Sequence, residues 1–161
     1  MFSYDQDTEL LMHIKMSKKK DDFTRVFLVR HAEKQSGSNP MLTEAGERRA
    51  QKLAQILEEV ELTHVYSTDY NRTRATAAPI MEQLGLELEL YDAKNLPAIK
   101  ELITSKQGKI SVVVGHSNTT PQLVNLFAGT NYPEIAHEDY SNLYLLTLKN
   151  NDEVEVEVFK F

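Results

Sequence analysis

The chain has 161 residues, 41% hydrophobic and 26% charged, which suits one compact domain burying roughly two-thirds of its unfolded surface. It has no cysteine, which excludes disulfides, thiolate metal sites and cysteine nucleophiles, and no apolar run near the ~20 residues needed to cross a bilayer. A formal net charge of −6 argues against broad nucleic-acid binding and requires any anion site to be a local gathering of Arg, His and backbone N–H groups.

Residues 1–23 read as a solvated arm, because "KKKDD" nearly cancels its own charge and the stretch has no long apolar segment or small-residue cleavage site. A signal peptide is therefore not expected, and a cytoplasmic location is. With no repeat, low-complexity tract or long Pro/Gly linker, residues 24–161 are expected to form a single domain. "RVFLV" is a continuous apolar run of the kind that forms a strand buried on both faces. "KQSGSNP" is loop. "LTEAGERRAQKLAQILEEV" reads as a helix with Thr43 as N-cap, Glu44 and Glu47 at its positive end, and Ala50, Leu53, Ala54 and Leu57 on one apolar face.

"THVYST" predicts a second short strand, and "NRTRATAAPIMEQLG" a helix closed by Gly85 and kinked or restarted at Pro79. "LELELY" is an alternating strand suited to a sheet edge, followed by a helix over "NLPAIKELITSKQG". "KISVVVGH" is a second strongly buried strand, and "TTPQLVNLFAG" a helix with Pro121 near its start. "NLYLLTLK", the turn "NND" and "EVEVEVFKF" predict a β-hairpin with Val154, Val156 and Val158 on one face and Glu153, Glu155 and Glu157 on the other. Strands alternating with helices and ending in a hairpin imply an α/β fold, a three-layer αβα sandwich around a mostly parallel sheet.

Three predicted strands end in polar groups: Arg30 and His31, then "STDYNR" with Arg72, then Gly115, His116, Ser117 and Asn118. Carboxyl ends of parallel strands share one edge, so these residues can converge. Two arginines and two histidines near helix N-termini form an oxyanion cage. A neutral His31 could then attack phosphorus, with the other cage residues steadying the transferring group. A metal site built from the histidines and Glu33 is disfavoured by the neighbouring arginines, so no metal or other cofactor is expected.

In order and spacing, "RHAE", "LTEAG", "YSTDYNRTRATA" and "VVVGHS" resemble the motifs of the histidine phosphatase superfamily, the phosphoglycerate mutase-like fold. The resemblance runs from about Val26 to Gly129. It implies that His31 is the phosphorylated nucleophile and that Arg30, Arg72 and His116 complete the phosphate pocket, with Thr68, Thr76 and Ala77 matching the pattern around Arg72. Ser117 and Asn118 would add hydrogen bonds to phosphate. For the proton donor, Asp92 lies at a predicted strand end on the cage edge, and Glu33 lies close to the nucleophile in sequence, where it could instead orient an arginine.

Ala32 replaces the glycine that commonly follows the first histidine, and Asn39 sits too far along to match the family's asparagine. The interval from Ala77 to Ile110 has no room for the insertion that mutases carry. These departures imply the small phosphatase branch: metal-independent hydrolysis of phosphomonoesters or phosphohistidine. The expected partner is a small phosphorylated substrate or a phosphoprotein, with neither nucleic acid nor membrane. A non-catalytic binder of phosphorylated ligands and a mutase are the alternatives. Specificity is expected from residues 35–40 and 132–140.

Overall fold

The computed structural model describes residues 23–161. All of the expected arm except Phe23 therefore lies outside the described residues. Six strands form one sheet: β1 (Thr24–Arg30), β2 (His64–Ser67), β3 (Leu88–Leu90), β4 (Ile110–Gly115), β5 (Asn142–Leu148) and β6 (Val154–Lys160). Four helices connect the parallel strands and lead on to β5: α1 (Glu44–Ile56), α2 (Asn71–Leu84), α3 (Leu96–Thr104) and α4 (Thr119–Ala128). The spatial order is β3-β2-β4-β1-β5-β6. The strands β1 to β4 run parallel, and β5 and β6 are added antiparallel at one side.

The sheet separates two cores. On one face Phe27, Val29, Val65, Val112, Val114, Leu143 and Leu145 meet Leu53, Leu57, Ala77 and Ile80 of the α1–α2 side. On the other, Val26, Leu28, Tyr66, Val113, Tyr144 and Leu146 meet Ile99, Ile103, Leu123, Val124 and Phe127 of α3 and α4. This alternation is the period-two pleat, and it is why β1 and β4 are apolar at successive positions. Each fully buried leucine or isoleucine contributes roughly 1.5–3 kcal/mol relative to exposure. The three-layer αβα architecture expected from the sequence is the one observed.

The caps account for the helix limits. The Thr43 hydroxyl accepts from the Gly46 N–H at 3.1 Å, which starts α1. Asn95 caps α3 through the Ala98 N–H, and α2 and α4 end on Gly85 (φ 65°) and Gly129 (φ 68°) in the left-handed region. Of the kink or restart expected at Pro79, the restart does not occur, since α2 runs unbroken through it. Pro79 withholds only its own N–H, and burial of Thr76, Ala77 and Ile80 around it holds the flanking turns. "LELELY" supplies only the three-residue edge strand β3. No helix among the described residues is long and apolar enough to cross a membrane.

Candidate functional site

The two central strands set the geometry. β1 and β4 pair in register from Arg25 opposite Ile110 to Arg30 opposite Gly115, and the His31 N–H donates to the Gly115 carbonyl at 2.9 Å. The next residue of each strand is a histidine. His31 and His116 therefore stand side by side, with ring centroids 5.7 Å apart and planes crossed at 66°. Here the chain order reverses across the sheet, because β1 connects to one side and β4 to the other, which opens a crevice at the strand ends. Gly115 packs closely here: a Cβ would lie 2.7 Å from the Tyr91 hydroxyl, which would have to shift.

His31 is buried, and its Nδ1 lies 2.8 Å from the Ala32 carbonyl oxygen. A carbonyl can only accept, so Nδ1 carries the proton and Nε2 keeps the lone pair. Burial lowers the His31 pKa to about 3, aided by the nearby charges of Arg30, His116 and Arg72. Burial also lowers His116 to about 4, with Arg72 and Arg30 acting in the same direction. Both imidazoles are thus neutral near pH 7. His116 Nε2 sits 2.9 Å from the Thr68 hydroxyl, which is bonded in turn to Thr73. The Ala32 N–H donates to Thr76 at 2.9 Å, tying the segment after His31 to α2.

Arg30 is 4% exposed, and its Nη1 donates to the carbonyls of Ala136 (3.2 Å) and Asp139 (2.7 Å). Arg72 projects from the first turn of α2, and its charge acts on both imidazoles. Among the described residues, nothing accepts a hydrogen bond from the buried Nε atoms of Arg30 and Arg72. Buried donors in proteins are ordinarily satisfied, so guanidinium N–H groups without an acceptor, on two arginines whose charges act on both imidazoles, are able to hold an anion. The four residues expected to form the cage are brought together.

The two expected proton donors each have a partner of their own. Glu33 accepts from Arg49 Nε with both oxygens, at 2.9 and 3.1 Å, in a half-buried ion pair. Its carboxylate is therefore committed to Arg49, which also donates to the Phe161 carbonyl. Asp92 is exposed, and it caps its own turn by accepting from the Lys94 N–H at 2.9 Å. It follows the carboxyl end of β3, the outermost strand, with β2 between it and the central pair. Ser117 offers its carbonyl to the Ile135 N–H at 3.0 Å, which anchors the segment before β5. Asn39 bonds the α2 N-terminus, accepting from the Asn71 N–H and side-chain amide. Arg74, off the cage face, pairs with Asp69.

Two contributors were not singled out as cage residues from the sequence. Tyr140 lies 6.0 Å from the His31 ring and 4.0 Å below the Arg30 guanidinium. Tyr70 meets His116 edge-on at 5.1 Å and Arg72 at 4.7 Å. Tyr70 falls inside the arginine motif, whereas Tyr140 arrives through a long irregular segment that carries no periodic signal.

A family model described as the histidine phosphatase superfamily (branch 1) matches residues 26–93. Among curated proteins, the probable phosphoglycerate mutase GpmB of Escherichia coli is 31% identical over 118 residues, covering 68% of this chain and 54% of that one. The chain thus spans about half the length of the curated relatives it matches. A mycobacterial glucosyl-3-phosphoglycerate phosphatase superposes with a TM-score of 0.73 at 14% identity, covering 86% of this chain and 99% of that one. The protein histidine phosphatase SixA complexed with tungstate gives 0.71 at 19% identity, covering 84% and 96%. The alpha-ribazole phosphatase of Shigella flexneri gives 0.70 at 14%, covering 85% and 96%. At these identities the structural likeness establishes the fold, the phosphoglycerate mutase-like one.

Proposed function

Because the chain belongs to the histidine phosphatase superfamily, we propose that it is a phosphatase that works through a phosphohistidine on His31. The observation that carries this reading is the neutral His31 beside two guanidiniums whose buried Nε atoms have no acceptor among the described residues. In the first step Nε2 attacks phosphorus, the P–Nε2 bond forms, and the bond to the leaving group breaks with its electron pair. Arg30, Arg72 and His116 hold the equatorial oxygens as charge shifts. In the second step water attacks phosphorus, the P–Nε2 bond breaks, and inorganic phosphate leaves. Once phosphate is released, Nε2 again holds a lone pair, fixed by the Ala32 carbonyl on Nδ1.

Both candidate carboxylates are engaged, Glu33 by Arg49 and Asp92 by the Lys94 N–H of its own turn. The best substrates are then those whose leaving group departs without a strong acid, such as phosphohistidine or an aryl phosphate, ahead of alkyl phosphates. A small phosphorylated molecule or a phosphoprotein is the corresponding partner.

The test is turnover of a phosphohistidine peptide, p-nitrophenyl phosphate and a sugar phosphate with a chelator present, followed by alkaline quench and mass spectrometry. The expected result is turnover of the first two and an alkali-stable phosphoryl group on His31, both abolished by His31→Ala. Phosphate binding with no turnover would make the protein a phospho-ligand binder. Interconversion of phosphoglycerates with a bisphosphate primer would make it a mutase.

A further inference from the structure

We infer that Tyr70 and Tyr140 are positioning residues that hold Arg72 and Arg30 by their ring faces, orienting both guanidiniums without neutralising them. The inference rests on the phosphoryl-binding reading above and concerns how the cage keeps its charge.

A buried arginine usually has a carboxylate partner, which fixes the guanidinium plane but cancels its charge. In an anion site such a partner would compete with the incoming oxyanion. Here, among the described residues, neither arginine is paired with a carboxylate. Arg30 is fixed by two backbone carbonyls and by the Tyr140 ring, 4.0 Å from its central carbon. Arg72 lies 4.7 Å from the Tyr70 ring centre. Asp139, Glu33 and Glu134 act on Arg30 through their charge without pairing with it: Asp139 Oδ1 accepts from the Ser141 N–H and hydroxyl, its Oδ2 meets Lys160 at 3.2 Å, and Glu33 is held by Arg49.

An aromatic face attracts a cation through its quadrupole but carries no net charge. It therefore orients a guanidinium and leaves its N–H donors free to hydrogen-bond an anion, and the buried Nε of each arginine has no acceptor among the described residues. The two tyrosines come from unconnected places, the N-cap of α2 and the residue group before β5. Each also touches one histidine of the cage, Tyr140 with His31 and Tyr70 with His116. The same device thus appears twice, once on each side of the site.

The test is direct binding of inorganic phosphate by calorimetry to the wild-type chain and to Tyr→Phe, Tyr→Leu and Tyr→Glu variants at each position. Phenylalanine keeps the ring face, so Tyr70→Phe and Tyr140→Phe should bind within about twofold of wild type. Leucine removes it, and each Leu variant should bind roughly three- to thirtyfold more weakly. Tyr70→Glu should bind more weakly than Tyr70→Leu, because a carboxylate there would neutralise Arg72.

Leu variants that bind like wild type, or Phe variants as weak as Leu variants, would overturn the inference. So would a Tyr70→Glu variant that binds at least as well as Tyr70→Leu. Tyr70 is 41% exposed, so its variants remain informative should Tyr140→Leu fail to fold. If wild type binds phosphate but the Leu variants bind equally, this inference falls and the phosphatase reading stands. If wild type binds none, both fall.

Discussion

His31 donates from Nδ1 to the carbonyl oxygen of Ala32, the next residue in the chain, at 2.8 Å. The His31 ring is thus oriented by its own backbone rather than by a carboxylate. A carboxylate would pull the imidazole toward its protonated form, whereas the carbonyl selects the tautomer without adding a charge.

The pH behaviour follows. His31 and His116 are lowered to about 3 and about 4, mainly by burial, from an ordinary value of 6.5. Proton NMR of the free protein should show both rings still neutral at pH 5.5. A midpoint near 6.5 for either ring would contradict the assignment. A histidine depressed on folding binds its proton more readily in the unfolded chain, so its contribution to stability is complete above 6.5. That contribution is lost as pH falls from 6.5 toward 3 to 4. The melting temperature should drop over that window, and His31→Gln, which cannot titrate, should flatten the decline.

The two carboxylates should separate cleanly. Asp92→Asn should leave kcat and KM within about twofold, since its carboxylate caps an exposed turn. Glu33→Gln removes the charge that holds Arg49 and should lower stability by about 1 kcal/mol, discounted for partial exposure. If Glu33 only supports the loop, the basic limb of the pH–rate profile stays in place while kcat falls modestly. A large loss of kcat in Asp92→Asn with KM unchanged would restore Asp92 as the acid.

Gly46 packs directly beneath the segment that follows His31. A Cβ at this position would lie 2.1 Å from the Glu33 carbonyl oxygen, a backbone atom that cannot turn aside. Gly46→Ala must therefore push α1 away from the Glu33 backbone, at a cost of roughly 1–3 kcal/mol. Chemical denaturation should show that loss, and kcat should fall with it because Glu33 is only two residues from His31. Unchanged stability would show that the segment yields freely.

Much of the site was legible because it lies at strand ends. Arg30, His31 and His116 each close an apolar run, and Thr43 announces the helix that follows. What periodicity does not encode is lateral order within the sheet. Asp92 was read at a strand end on the cage edge, but the place of its strand, outermost beyond β2, could not be read. The Glu33–Arg49 pair was only half visible, because Arg49 meets Glu33 and the Phe161 carbonyl across a long sequence gap. Tyr140 was hidden for a similar reason: its reach depends on irregular backbone held by Ser117 and Arg30.

The amide of His31 is itself a rung of the central ladder, bonded to Gly115 between the two best-shielded strands. Loss of His31's alignment therefore requires the middle of the sheet to come apart. Heat inactivation should have no separate early phase, and surviving activity should report the fraction of molecules still folded. In hydrogen–deuterium exchange, this amide should be among the last to take up label.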